Sequence, residues 1–201
     1  MTKNLDNEGL RSIVANYDIF YIDLWGVIHN GIILHKNAIE TLLEISKAEK
    51  NYVLLTNAPR PNNTVKKFLE KMGMNKKIVE KVYSSGEAAL NYLKRNHLSE
   101  MFYHVGPLRD FDLFLEFEKN KRKNINESSY LLCTGLFANH EEDLSYYKEL
   151  FKNHLDKKMI CTNPDLIVDR GNKRELCAGS VASVFEKMGG EVIYFGKPFP
   201  E

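Results

Sequence analysis

The chain predicts an α/β fold built on a parallel sheet, and three observations carry that prediction. Short β-rich apolar runs alternate with segments whose apolar residues recur at helical spacing. The first run, Ile19-Phe20-Tyr21-Ile22, ends in a carboxylate and then a glycine, Asp23-Leu24-Trp25-Gly26-Val27. An open α/β sheet presents reactive groups in this way, at the carboxyl ends of its strands. Polar groups of complementary type stand at other strand ends, the Thr56-Asn57 pair and Lys197.

The elements follow in order. Asn37 to Lys50 carries Ile39, Leu42 and Leu43 on one helical face, and Asn51 to Asn57 returns as the strand Tyr52-Val53-Leu54-Leu55, which completes a βαβ unit. Pro59 and Pro61 break the chain. Asn63 or Thr64 can then cap a helix with Val65, Phe68, Leu69 and Met72 at helical spacing, stopped by Gly73. A helix near Gly86 to Lys94 and a strand near Met101 to Val105 continue the alternation. Beyond Gly106-Pro107 the texture changes to a charged stretch, Glu116 to Glu127, and a strand Tyr130 to Thr134. A helix from about Glu141 to Leu155 is built on Leu144, Tyr147, Leu150 and Phe151. The strand Met159 to Thr162 enters a turn at Asn163-Pro164-Asp165. A helix lined by Val181, Val184, Phe185 and Met188 closes at Gly189-Gly190, and Glu191 to Phe195 forms a strand that delivers Gly196-Lys197-Pro198.

Composition narrows the function. At 201 residues and 43% apolar content the chain suits one full domain, or one carrying a smaller insertion. A formal charge of +1 with both signs scattered leaves no electrostatic footprint for nucleic acid or an anionic membrane. Lys119 to Lys123 reads as a solvated face. Cys133, Cys161 and Cys177 are odd in number and never paired as Cys-x-x-Cys, which argues against a disulfide framework or a zinc site. Residues 1–18 are polar and no segment approaches membrane-spanning length, so a cytoplasmic protein with a small-molecule partner is expected. His35, His97, His104, His140 and His154 show no metal-ligand spacing and read as loop or surface residues, whereas Tyr146-Tyr147 and the Phe111, Phe114, Phe117 series read as core.

If the first two strands are parallel neighbours, Asp23 and Thr56 emerge on one sheet edge, where a later strand can bring Lys197. A carboxylate nucleophile, a hydroxyl donor and an ammonium suit covalent phosphoryl transfer: the carboxylate attacks phosphorus while the other two stabilise the phosphoryl oxygens. Thr56 follows Asp23 by 33 positions, about one βαβ unit, but Lys197 follows Thr56 by 141, so something of domain size is inserted between them.

These residues resemble the haloacid dehalogenase-like hydrolases, and in detail their class IIA branch, which contains pyridoxal phosphate, 4-nitrophenyl phosphate and sugar phosphate phosphatases. Asp23 to Val27 with Gly31 is similar to the first motif, Leu55-Thr56-Asn57 to the second and Gly196-Lys197-Pro198 to the third. Thr162-Asn163-Pro164-Asp165 and Ala178-Gly179-Ser180 resemble landmarks of the class IIA cap. The resemblance implies a Rossmann-like three-layer core with an inserted α/β class-2 cap: residues 1–110 the first part of the core, 111–190 the cap, 191–201 a return strand of the core with the lysine motif. It implies Asp23 and Lys197 as catalytic residues and Thr56 and Asn57 as holders of the phosphoryl group or its loop. Asn163 and Asp165 would face the leaving group of a small phosphorylated substrate. It also implies Mg2+, held by Asp23 and the backbone carbonyl of Trp25, and a homodimer formed through the cap.

Two departures qualify that picture. Trp25 stands where family phosphatases carry an aspartate that protonates the leaving group and later activates water, and indole cannot do this. His29 could take over, although its place after the strand reads as a loop or cap contact. The sequence also stops at Glu201, four residues after Lys197, without the fourth motif whose acids complete the magnesium site, so the core is expected to be incomplete at its C-terminus and the chain a fragment. Hydrolysis of a small phosphate monoester through an aspartyl-phosphate is therefore the expected activity. The alternatives are a catalytically impaired binding domain and dehalogenase-like displacement of a halide, which needs neither the acid nor the metal.

Overall fold

The computed structural model describes residues 9–200, so the reading of residues 1–18 falls partly, and Glu201 wholly, outside the described residues. Strands β1 (Ile19–Asp23), β2 (Asn51–Thr56) and β3 (Val82–Ser84) form a parallel sheet in that order. Helix α1 (Lys36–Lys47) joins the first two strands; α2 (Asn62–Lys71) and α3 (Lys76–Val79) join the second pair. Alternation of side chains along each strand decides what is buried. Phe20 pairs with Tyr52, Ile22 with Leu54 and Leu54 with Val82. Their face packs on Leu42 and Ile45 of α1, Val65 and Leu69 of α2, and Ile78 and Val79 of α3. On the opposite face Ile19, Tyr21 and Tyr83 are exposed, so among the described residues this sheet has one covered side.

Helix α4 (Ser85–Asn96) leads away to strands β4 (Phe102–Val105), β5 (Lys121–Arg122) and β6 (Tyr130–Cys133). Helix α5 (Leu144–Phe151), strand β7 (Lys158–Cys161), the antiparallel hairpin of β8 (Ile167–Arg170) and β9 (Lys173–Leu176), helix α6 (Ala178–Lys187) and β10 (Glu191–Tyr194) complete the chain. The second sheet is parallel, five-stranded and ordered β10-β7-β6-β4-β5. Both of its faces are covered, which gives three layers. Leu131, Cys133, Met159 and Cys161 point to Tyr147 and Phe151 of α5 and Val181 and Phe185 of α6. Tyr130, Leu132 and Ile160 point the other way, to Leu90 and Leu93 of α4 and to Phe114 and Phe117. Burial on both faces explains the unbroken apolar runs of these strands.

β4, within residues 1–110, and β10, within residues 191–201, both hydrogen-bond inside the five-stranded sheet and not to β1–β3. Their sequences are apolar on alternate residues in either setting, and only the packing of α4 and α6 against them selects the partner. Other readings shift locally. Asn62 opens α2 after Pro61, and Asp143 caps α5 by accepting from the N–H groups of Ser145 and Tyr146. Lys121–Arg122 is an edge strand rather than a free loop. Tyr147, Phe114 and Phe117 are core as expected, but Phe111 is exposed.

His104, expected at the surface, is buried on β4, where its Nε2 lies 2.8 Å from Thr134 Oγ1 and its ring packs against Phe114. Burial, aided by Lys121, pushes its pKa from 6.5 to about 3. The native imidazole is therefore neutral while the unfolded one takes a proton below its ordinary value, so acid favours unfolding. Stability from this group is fully present above pH 6.5 and declines as pH falls toward 3. The expected outcome is a urea-unfolding midpoint that drops across this window, and a shallower drop in His104→Gln; an unchanged slope in the variant would show that another group controls the acid limb.

Candidate functional site

Three strand ends meet. Asp23 ends β1, Thr56 ends β2 and is buried, and Lys197 follows β10 of the other sheet. Lys197 donates from Nζ to Asp23 Oδ1 at 2.5 Å and to the Leu55 carbonyl at 3.3 Å. No described residue donates to Asp23 Oδ2. Asn57 sets this geometry by holding both sides of the Lys197 backbone: its Oδ1 accepts from Lys197 N–H at 2.8 Å, and its Nδ2 donates to the Lys197 carbonyl at 2.9 Å. The same Nδ2 donates to Asp165 Oδ1 at 2.8 Å. Gly196 permits the approach. Its φ is +117°, and a Cβ there would stand 2.6 Å from Asn57 Oδ1 and 2.8 Å from Ser85 Cβ.

The expected site residues thus converge on one cavity of about 1050 Å³ lined by Asp23, Trp25, Thr56, Asn57, Asn163, Asp165 and Lys197. Their work differs. Thr56 Oγ1 accepts weakly from Ala58 N–H at 3.3 Å, which leaves its own proton free to donate. Asn163 is buried and spends Oδ1 on the N–H of Asp165, an Asx turn that aims the Asp165 carboxylate at Asn57. Asp165 stands exposed to the cavity, and partial desolvation there raises its pKa, opposed by the Asn57 hydrogen bond and the charge of Lys197 and reinforced by Asp23.

Trp25 has a structural role that the sequence reading lacks. Its Nε1 donates to the Asp169 carbonyl in the β8–β9 hairpin at 2.9 Å, and the Arg170 guanidinium lies over the ring. The indole lies against Gly31, where a Cβ would come within 2.6 Å of the ring. His29 is buried edge-on between Trp25 and Phe68, and its Nδ1 accepts from Gly31 N–H. Burial, with help from His35 and against Asp23, lowers its pKa. A neutral imidazole so engaged organises the loop and does not supply an acid. The hairpin itself escaped the sequence reading, although Gly171-Asn172 between two polar strands is a two-residue hairpin signal.

Two further contacts fix the loop after β2. Ser84 Oγ donates to the Arg60 carbonyl and accepts from Glu87 N–H, while Ser85 Oγ donates to the carbonyls of Ala58 and Thr162. Ser84-x-x-Glu87 is a helix-start pattern readable in sequence. Arg60 also pairs with Asp110 at 3.1 Å, and Asp110 is only 3% exposed.

Mg2+ does not fit these residues as a resident ion. The Trp25 carbonyl accepts from no described donor, but together with Asp23 Oδ2 it offers two oxygens where this cation takes about six, and Lys197 holds the other Asp23 oxygen. Among the described residues no three His, Cys, Asp or Glu side chains form a metal-holding group. Among the described residues, too, no helix is long and apolar enough to cross a membrane.

Residues 20–117 match the family model of the haloacid dehalogenase-like hydrolases. Solved structures are similar over nearly the whole chain. A haloacid dehalogenase-like hydrolase from Brucella suis superposes with a TM-score of 0.85 at 28% identity, over 94% of this chain and 69% of that one. A possible sugar phosphatase from Cytophaga hutchinsonii gives 0.71 at 19% identity, over 94% and 70%. A p-nitrophenyl phosphatase from Archaeoglobus fulgidus gives 0.65 at 16%, over 88% and 67%. The latter two show likeness of fold. No curated protein matches in sequence.

Removing Arg60 would leave the Asp110 carboxylate buried without its partner, at a cost of about 3–5 kcal/mol. Burial already raises the Asp110 pKa above its ordinary 3.8, against the pull of Arg60, Thr134 and Arg109. The raised pKa means stability from this group is present below 3.8 and lost as pH rises. The deficit of Arg60→Ala in urea unfolding is therefore expected to be smaller at about pH 4 than at about pH 8; a pH-independent deficit would assign the loss to packing of the arginine stem.

Proposed function

From the family model matched by residues 20–117 and the structural likeness over 94% of the chain, we propose that this chain is a haloacid dehalogenase-like hydrolase that hydrolyses a small phosphate monoester through an aspartyl-phosphate on Asp23. The observation that supports this most is the Lys197 ammonium 2.5 Å from Asp23 Oδ1, with Asn57 pinning the lysine backbone beside it. Asp23 Oδ2 attacks phosphorus, and the P–O bond to the leaving group breaks. Lys197 and the Thr56 hydroxyl stabilise charge on the phosphoryl oxygens, and Asn57 keeps the lysine in place, so the protein's task is mainly positioning and electrostatics. Water then cleaves the acyl phosphate, releasing inorganic phosphate and restoring Asp23.

The insertion between β3 and Lys197 acts in this reading as a class IIA cap, with the β8–β9 hairpin as the wall opposite Asp23. Names of similar structures, a sugar phosphatase and a p-nitrophenyl phosphatase, support phosphate esters as the substrate class. Mg2+ is the family's expected cofactor, but with the donor set described no step is assigned to it. The assembly proposed is a homodimer through the cap, and the location cytoplasmic.

A second reading is favoured by Trp25. Its ring and Nε1 are committed to the hairpin, which suits a domain that binds a phosphorylated molecule without turning it over. Asp23→Asn separates the two. Loss of 4-nitrophenyl phosphate turnover by at least about 10³-fold, with an unchanged unfolding midpoint, is expected for the covalent mechanism. Turnover that survives in the variant would end it, and a wild-type chain that binds the ester without hydrolysis would establish the binding role.

A further inference from the structure

The cavity contains one carboxylate whose position answers the missing acid at residue 25. An in-line displacement puts the leaving oxygen on the side of phosphorus away from Asp23. The loop after β7 lines the same cavity as Asp23. Asp165 lies on this loop, comes from the other sheet than Asp23, and lines the same cavity. It is tied to the nucleophile by a short chain of hydrogen bonds: Asp165 Oδ1 to Asn57 Nδ2, Asn57 Oδ1 to Lys197 N–H, and Lys197 Nζ to Asp23 Oδ1. Only Oδ1 is occupied. No described residue donates to Oδ2, which leaves an oxygen free to carry a proton.

The other acids of the cavity are spent elsewhere or lie away from this network. Asp110 is buried against Arg60; Asp169 forms a two-pronged pair with Arg174; Glu141 and Glu175 face Lys173. Glu142 has no link to Asn57 or Lys197 among the described contacts. Resting on the phosphatase reading above, we propose that Asp165 is the general acid and base of this chain, taking the role that Trp25 cannot perform.

The proton balance closes. As Asp23 forms its bond to phosphorus, the leaving oxygen departs with the P–O electron pair and receives the proton of Asp165, giving the free alcohol and an Asp165 carboxylate. In the second step that carboxylate accepts a proton from water as its oxygen attacks phosphorus, and the bond to Asp23 breaks. Inorganic phosphate leaves, and Asp23 ionised and Asp165 protonated are restored. The groups that face Asp165 work in both directions: partial desolvation and Asp23 favour the protonated form, while the Asn57 hydrogen bond and Lys197 favour the ionised one. Burial, with Asp165 adding to it, raises the thiol pKa of Cys177 just before α6, so it stays protonated and neutral beside the carboxylate.

The test is the dependence of kcat/KM on leaving-group basicity, measured on the full chain with 4-nitrophenyl and phenyl phosphate, which differ little in size. Asp165→Asn keeps an acceptor for Asn57 Nδ2. The variant is expected to lose at least about 10²-fold on the phenyl ester, whose leaving group needs a proton, and under about tenfold on the nitrophenyl ester, which leaves without one. The fall of wild-type phenyl phosphate kcat/KM with rising pH should also vanish in the variant, and intact mass should reveal accumulated phosphoenzyme because its hydrolysis lacks a base. Equal losses on both esters, or none on either, would overturn the assignment. Turnover that persists in Asp23→Asn, or a wild type inactive on both esters, would instead overturn the phosphatase reading on which it rests.

Discussion

The Asn57 amide grips the Lys197 peptide on its donor and acceptor sides, and the geometry of the site depends on that grip. The two sheets have separate apolar clusters, and neither cluster by itself fixes the position of one strand end against another in the other sheet. Directional bonds do. A single side-chain amide at the end of β2 reads the backbone after β10 and the carboxylate after β7 at once, and the absence of a side chain at Gly196 lets it come close enough. Ser85 adds a second stitch, from the start of α4 to the loops after β2 and β7. Arg60–Asp110 adds a third, and its burial makes it intolerant of losing one partner.

Trp25 shows how one residue can exchange a chemical role for a structural one. Placed two positions after the nucleophile, it spans the cavity to the β8–β9 hairpin by one hydrogen bond and one cation over its ring. Gly31 and His29 shape the loop around it. The hairpin is anchored at its base by Leu176, and with Ile167 exposed and Val168 half-buried the indole adds a contact across the cavity. An aspartate at this place would be too short to reach across.

Legibility followed the strength of the local signal. β1, β2, β6 and β7 were readable because each carries a run of apolar or β-branched residues ending in a turn signal, and α1, α2, α5 and α6 because their apolar residues keep helical spacing. β3 has three residues and α3 four, too short for any period to show. β8 and β9 are rich in charge, so their alternation carries no hydrophobic pattern and only Gly171-Asn172 marks them. His104 looked like a surface residue because its partner Thr134 lies just past the end of the neighbouring strand, thirty positions away.

The sequence by itself determined which groups are available: a carboxylate, a hydroxyl, an amide and a lysine, each at the end of a strand or in the turn after it, because strand ends and turns are written in local periodicity and in glycine and proline. Tertiary structure alone decided that β10 pairs with β7, that Asn57 holds the lysine's backbone, and that Asp165 joins the same network. These are contacts between residues more than a hundred positions apart or between strands of equal apolar character. Nothing local distinguishes one partner from another there; the choice is made by which pairing buries both faces of the five-stranded sheet.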